Sequence, residues 1–139
     1  MREPYTQLYV HTVWATWDRA PLLTPDVFQA VDGCVRHECA QMRVEVIAFG
    51  GVADHVHLLV RIPATVTIAG LVKQVKGSSS HLVEERLRTT FKWQGGYGAF
   101  TVDKSEVPRV RDYVLRQEEH HRDHTTDSDS ELPPAPPPR

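Results

Sequence analysis

The stretch Asp54-His55-Val56-His57-Leu58-Leu59-Val60-Arg61-Ile62, set between Gly50-Gly51 and Pro63, constrains this chain more than any other. Successive side chains of a strand point to opposite faces. A strand over residues 55–62 therefore turns Val56, Leu58, Val60 and Ile62 one way, and His55, His57, Leu59 and Arg61 the other. The wholly aliphatic face must be covered by helices. The two histidines then stand side by side on the opposite face, where two imidazoles can share one ion. Two strand histidines making surface hydrogen bonds fit the same tripeptide, and spacing does not decide between them. Asp54 adds a carboxylate that can orient one imidazole.

The rest of the chain supplies partners for that strand. Residues 5–17 are rich in β-branched and aromatic types and read as a strand. Thr24-Pro25-Asp26 starts a helix, with Thr24 as N-cap and proline at the first helical position. Val27, Val31, Cys34, Val35 and Met42 follow near helical spacing. Residues 43–49 form a second strand closed by Gly50-Gly51. Ile68, Leu71, Val72, Val75, Leu82, Val83 and Leu87 mark a second helix, loosened around Gly77-Ser78-Ser79-Ser80. A turn at Gly95-Gly96 leads to a strand over 97–102. Asp103 or Ser105 then caps a last helix running to about His121. The order β-α-β-β-α-β-α predicts an α+β, ferredoxin-like (RRM-like) antiparallel sheet, two helices on one face, and an additional C-terminal helix.

At 139 residues the chain is one domain's worth. The domain is expected over residues 1–122, with an acidic, Pro-rich and disordered tail over 123–139. Residues 118–139 hold six acids against Arg122 and Arg139, so the formal charge of −2 conceals a mildly basic domain. From Lys73 to Arg116 nine bases face five acids, which suits a solvated helix face as well as a phosphate track. No apolar run has the length of a membrane span. Cys34 and Cys39, the only cysteines, share one helical pattern and read as small buried residues of a reduced cytoplasm.

In the last helix Val107, Val110 and Val114 form a narrow apolar stripe. Tyr113 and Gln117 are one turn apart and share a face. A partly buried tyrosine beside a solvated glutamine also satisfies this spacing. His120, His121 and His124 extend the helix, with His120 and His124 nearly in line with Tyr113; a frayed polar end accounts for them equally.

Together these segments resemble the single-tyrosine HUH transposases of insertion sequences that move as single-stranded DNA, including the REP-associated tyrosine transposases. The resemblance runs to about Arg122. It rests on Tyr9-Val10-His11-Thr12-Val13-Trp14, Arg19-Ala20-Pro21-Leu22-Leu23, the His55-Val56-His57 motif, Trp93-Gln94-Gly95-Gly96-Tyr97-Gly98-Ala99-Phe100 and Tyr113 through His121. It implies Tyr113 as the nucleophile and His55, His57 and Gln117 as ligands of Mg²⁺ or Mn²⁺. It further implies single-stranded DNA with hairpins as substrate, a 5′-phosphotyrosine intermediate, and a homodimer with active sites shared between chains. His11 matches the family too, but a lone strand histidine reads as structural. The acidic tail lies outside the pattern and takes no role from it.

Lys73, Lys76, Arg86, Arg88 and Lys92 are candidate phosphate contacts, and Trp93 and Tyr97 could stack on bases or cover a core edge. Two other readings keep the fold: a domesticated hairpin-binding protein without cleavage, and a metal-dependent phosphoesterase that uses water and has no need of Tyr113.

Overall fold

The computed structural model describes residues 4–123, 126–127 and 130–132. Strands β1 (Tyr9–Ala15), β2 (Glu45–Val52), β3 (His55–Arg61) and β4 (Gly98–Val102) form one antiparallel sheet in the order β2-β3-β1-β4. Helices α1 (Pro25–Gln41) and α2 (Ile68–Leu87) lie on one face, α3 (Val107–Leu115) covers part of the other, and α4 (Gln117–Arg122) follows it. This is the expected ferredoxin-like plan with its additional C-terminal helix.

The alternation of β3 divides the interior as its sequence dictates. Val56, Leu58, Val60 and Ile62 join Val31, Val35, Leu71 and Val75 in the main core under α1 and α2. On the reverse face Leu59 packs with Ala48, Val110 and Val114 in a smaller core that docks α3. Thr24 caps α1, its hydroxyl accepting from the Val27 amide at 3.4 Å, with Pro25 in the first turn. Cys34 and Cys39 are both buried, and burial pushes both thiols up, that of Cys39 to about 11.

Three local expectations need correction. Gly50-Gly51 does not close β2 but lies within it, because the backbone of α3 sits directly on the strand. A Cβ on Gly50 would fall 2.0 Å from the Val114 carbonyl oxygen. Helix α2 is continuous through Gly77-Ser78-Ser79-Ser80. There the Ser79 and Ser80 hydroxyls donate to the carbonyls of Lys76 and Gly77 within the helix, and buried Ser79 also accepts from Trp93 Nε1 at 3.0 Å. Tertiary packing thus outweighs low helix propensity. The last helix, finally, is broken at Arg116 (φ −112°, ψ 34°), and Asp103 caps a short 3-10 turn before α3 rather than α3 itself.

Candidate metal and tyrosine site

The site grows from β3 outward. His57 faces Gly50 on β2 and Val13 on β1, while His55 pairs with Val52 and Ala15. Gly50 has no side chain, so α3 descends onto the sheet beside His57. The ring centroids of Tyr113 and His57 are 6.0 Å apart, and Tyr113 is 6% exposed.

Each imidazole is oriented through its Nδ1. The Asp54 carboxylate lies 2.8 Å from His55 Nδ1, and His11 Nε2 lies 2.8 Å from His57 Nδ1. His11 is thus a structural partner, as its lone position suggested, yet one bonded to the motif. Burial, with His57 alongside, lowers its pKa to about 3 and keeps it neutral. When His57 donates its Nδ1 proton to neutral His11, the Nε2 lone pair of His57 is left for the site. Both Nε2 atoms are buried and find no aligned hydrogen-bond partner. Two inward-facing imidazole nitrogens in that state are what a divalent ion requires.

The remaining groups arrive from the C-terminal end. Gln117 is 1% exposed; its amide nitrogen donates to the Tyr113 carbonyl at 3.0 Å, and its Oε1 lies 3.2 Å from His121 Nε2. The break at Arg116 alters which histidine reaches the site. His121, with its ring 4.7 Å from that of His55, points inward, whereas His120 packs on the Tyr113 ring at 4.5 Å. His124 lies outside the described residues.

Glu131, from the tail, has no counterpart in the sequence reasoning. Its Oε1 accepts from the Tyr113 hydroxyl at 2.7 Å, and its Oε2 lies 3.3 and 3.2 Å from Nε2 of His55 and His57. Those two contacts lack hydrogen-bond alignment, consistent with the unsatisfied nitrogens. The Asp127 amide donates to the Tyr113 oxygen at 2.9 Å. Donor atoms of His55, His57, His121 and Glu131 all fall within 4.8 Å of one another. Residues 127 and 131 therefore join the domain's site, while Pro133 through Arg139 lie outside the described residues. No signal in the tail marked Glu131 among its acids; only folding back of the chain selects it.

Electrostatics follow the burial. Burial pushes the Tyr113 phenol well above its ordinary range, with the Glu131 carboxylate adding to it. Burial lowers His57 despite Glu131, whereas in His55 the carboxylates of Glu131 and Asp54 outweigh burial and raise it. Glu131 is held below the usual carboxylate range, because His55, His57 and Tyr113 more than offset its own burial.

Of the candidate DNA contacts, Trp93 is 6% exposed and packs edge-on against Trp14 and Phe91. It is a core residue and unavailable for stacking. Lys76 is committed to the carbonyls of Gln94 and Gly96 at 2.7 and 2.9 Å, holding the Gly95-Gly96 turn. Lys92 stands over the Trp17 ring at 3.9 Å. Lys73, Arg86, Arg88 and Tyr97 are exposed. The resemblance implies a site divided between two chains. Here Tyr113 meets the histidines of its own chain, since Val110 and Val114 bury against Ala48 and Leu59 of that chain.

A ferredoxin-like sheet with a His-x-His pair beneath a tyrosine-bearing helix defines the single-tyrosine HUH class of transposases. The family model described as Transposase IS200 like matches residues 4–117. The chain belongs to that family, and is a transposase. It is 28% identical over 118 residues to the ISDra2 transposase TnpA of Deinococcus radiodurans, covering 80% of this chain and 84% of that one. Over 119 residues it is 27% identical to the transposase for insertion sequence element IS200 of Salmonella typhimurium, covering 81% and 78%. Two solved structures share the fold. A Deinococcus radiodurans protein assigned as a transposase aligns with TM-score 0.69 at 24% identity, over 82% of this chain and 93% of that one. A REP-associated tyrosine transposase bound to a REP hairpin aligns with TM-score 0.67 at 14% identity, over 87% and 73%. Among the described residues no helix is long and apolar enough to cross a membrane.

Proposed function

We propose that this transposase cuts and rejoins single-stranded DNA at hairpin-flanked sites through a covalent bond between Tyr113 and the 5′-phosphate. The observation that carries this reading is the placement of the Tyr113 hydroxyl against Glu131, whose other oxygen lies within 3.3 Å of both motif Nε2 atoms. A phosphodiester bound at that point touches nucleophile and metal ligands together. His55, His57 and Gln117 would hold Mg²⁺ or Mn²⁺; all three are neutral donors, so little of the ion's charge is cancelled. When bound, the ion supplies Lewis-acid polarisation of a phosphoryl oxygen.

The Tyr113 hydroxyl gives up its proton as its oxygen attacks phosphorus, and a P–O bond to the tyrosine forms. The bond to the 3′-oxygen breaks, and that oxygen takes up a proton as the 3′-hydroxyl, so no proton is gained or lost overall. Because the phosphotyrosine ester conserves the energy of the broken linkage, a 3′-hydroxyl can reverse the step. Water as nucleophile leaves only a nick. The REP hairpin carried by a structural neighbour supports hairpin DNA as the substrate class. Exposed Lys73, Arg86, Arg88, Lys92 and Tyr97 offer charge and a stacking surface for it. We include a homodimer in the proposal, since β2 and β4 are sheet edges open to pairing.

The test is incubation with labelled hairpin DNA and Mg²⁺ or Mn²⁺. A denaturation-resistant adduct should form with the wild type and be absent with Tyr113→Phe, which removes one oxygen. Cleavage without an adduct would replace this reading with the hydrolytic one, and binding without cleavage with the domesticated one.

A further inference from the structure

We propose that Glu131 is a tail-borne metal ligand in the DNA-free protein, standing beside His55 and His57 in the place the scissile phosphate must take. This rests on the proposed tyrosine chemistry for the identity of the competitor, and on the structure alone for the ligand.

The ligand geometry is specific. Donor atoms about 2.0–2.2 Å from a common ion lie roughly 3.0–3.5 Å from one another. Glu131 Oε2 is 3.3 Å from Nε2 of His55 and 3.2 Å from Nε2 of His57. At that spacing neither nitrogen makes an aligned hydrogen bond, although His55 is 3% and His57 0% exposed. Three donors separated in this way, with the two imidazole nitrogens unsatisfied and sealed from water, describe a coordination set rather than a hydrogen-bond network.

The carboxylate is held from both sides. Asp127 donates its amide to the Tyr113 oxygen, and its carboxylate lies 3.6 Å from Arg109 Nη1. Ser130 is buried and returns to Asp127 through its amide (2.9 Å) and its hydroxyl (3.1 Å). Leu132 packs over Gly98 on β4, where a Cβ would approach its Cδ2 to 3.1 Å.

The same carboxylate excludes the substrate. It carries one negative charge and two oxygens, as a phosphodiester does at its non-bridging positions. Attack needs phosphorus within about 3–3.5 Å of the tyrosine oxygen, and Glu131 Oε1 already sits 2.7 Å from that oxygen. Phosphate and Glu131 therefore bind alternately. Exchanging the charged ligand for the phosphate also keeps the charge around the ion balanced as DNA enters.

The experiment compares full-length Tyr113→Phe, which lacks the proposed nucleophile, with the Glu131→Gln/Tyr113→Phe double variant. Mn²⁺ binding is followed by the free-ion EPR signal. Without DNA the double variant should bind Mn²⁺ tenfold or more weakly, and with saturating hairpin DNA the difference should shrink to within about twofold. In chains that retain Tyr113, Glu131→Gln should lower the half-saturating DNA concentration for adduct formation several-fold. Equal Mn²⁺ affinity without DNA overturns the proposal, as does an affinity loss that persists with DNA bound. If the wild type forms no adduct, the tyrosine reading fails while the Mn²⁺ comparison still decides the ligand. Glu131→Asp, which keeps the carboxylate, should bind Mn²⁺ closer to the level of the parent and guards against misfolding.

Discussion

His11 Nε2 lies 2.8 Å from Nδ1 of His57, and both rings are buried, that of His11 beside Phe100 of β4 and that of His57 beside Tyr113 of α3. A hydrogen bond at that nitrogen decides whether Nε2 of His57 carries a lone pair or a proton. His11→Phe fills the space but removes the acceptor. Mn²⁺ affinity should fall 10- to 100-fold, the usual effect of losing the partner of a metal-bound histidine. His11→Gln, which retains an acceptor, should recover much of it. Equal affinities for wild type and His11→Phe, measured by calorimetry, would leave His11 a packing residue only.

Gly50 tests how α3 is seated. A Cβ placed there would meet the Val114 carbonyl at 2.0 Å, and backbone cannot swing aside as a side chain can. Gly50→Ala should cost about 1–3 kcal/mol in urea unfolding and should also displace Tyr113, slowing adduct formation. Gly33, whose Cβ would meet nothing within 4 Å, is the control: it lies inside α1, so Gly33→Ala should be neutral or stabilising.

Trp93 and Tyr97, four residues apart, should separate cleanly into stability and binding. Trp93→Ala removes a ring buried against Trp14 and Phe91 and should destabilise by about 3–5 kcal/mol. Tyr97, 40% exposed, should leave stability nearly unchanged. Its loss should weaken hairpin binding by roughly 1–3 kcal/mol if a base stacks on it. Thermal melts and a gel shift on both variants give the answer, and unchanged DNA affinity in Tyr97→Ala would remove it from the interface.

The sheet, its element order and the division of β3 into an aliphatic and a histidine face were legible because strand alternation is local and strict. Other features depend on contacts distant in sequence. Gly50-Gly51 reads as a terminator until α3 is seen resting on it, and Trp93 reads equally as a stacking surface or a core edge until Ser79 is seen accepting its indole proton. The break at Arg116 has no proline or glycine to announce it, yet it brings His121 rather than His120 to the cluster. Glu131 is one acid among several in a low-complexity tail. Its role comes from the chain folding back, a relationship that periodicity does not encode.

Tyr113 and His57 occupy one chain here, and complementation tests that arrangement. Mixing His57→Ala chains with Tyr113→Phe chains should restore no cleavage, because every site then lacks either a ligand or the nucleophile. Recovery of adduct in the mixture alone would show that α3 exchanges between protomers, the divided arrangement implied by the family resemblance. Sedimentation of the same mixture reports whether chains associate at all.

Gln117 and His121 compete for one description, and the hydrogen bond between them decides how to separate it. Gln117 Oε1 lies 3.2 Å from His121 Nε2, while the Gln117 amide is anchored on the Tyr113 carbonyl. If the glutamine oxygen is the ligand, His121 donates to it and fixes its direction, leaving a second lone pair for the ion. If His121 is the ligand, that proton must be absent and the glutamine is only a brace. The first assignment predicts a tenfold or greater loss of Mn²⁺ affinity for Gln117→Ala and a smaller loss for His121→Phe. Gln117→Glu should bind Mn²⁺ more tightly, since it adds a charged oxygen, yet form adduct more slowly because that charge offsets the ion's. Burial lowers the pKa of His121, so its imidazole is mostly neutral near pH 7 in either case and charge on this ring does not complicate the comparison. A larger loss for His121→Phe than for Gln117→Ala, measured by calorimetry on both variants, would move the ligand role from α4's first residue to its fifth.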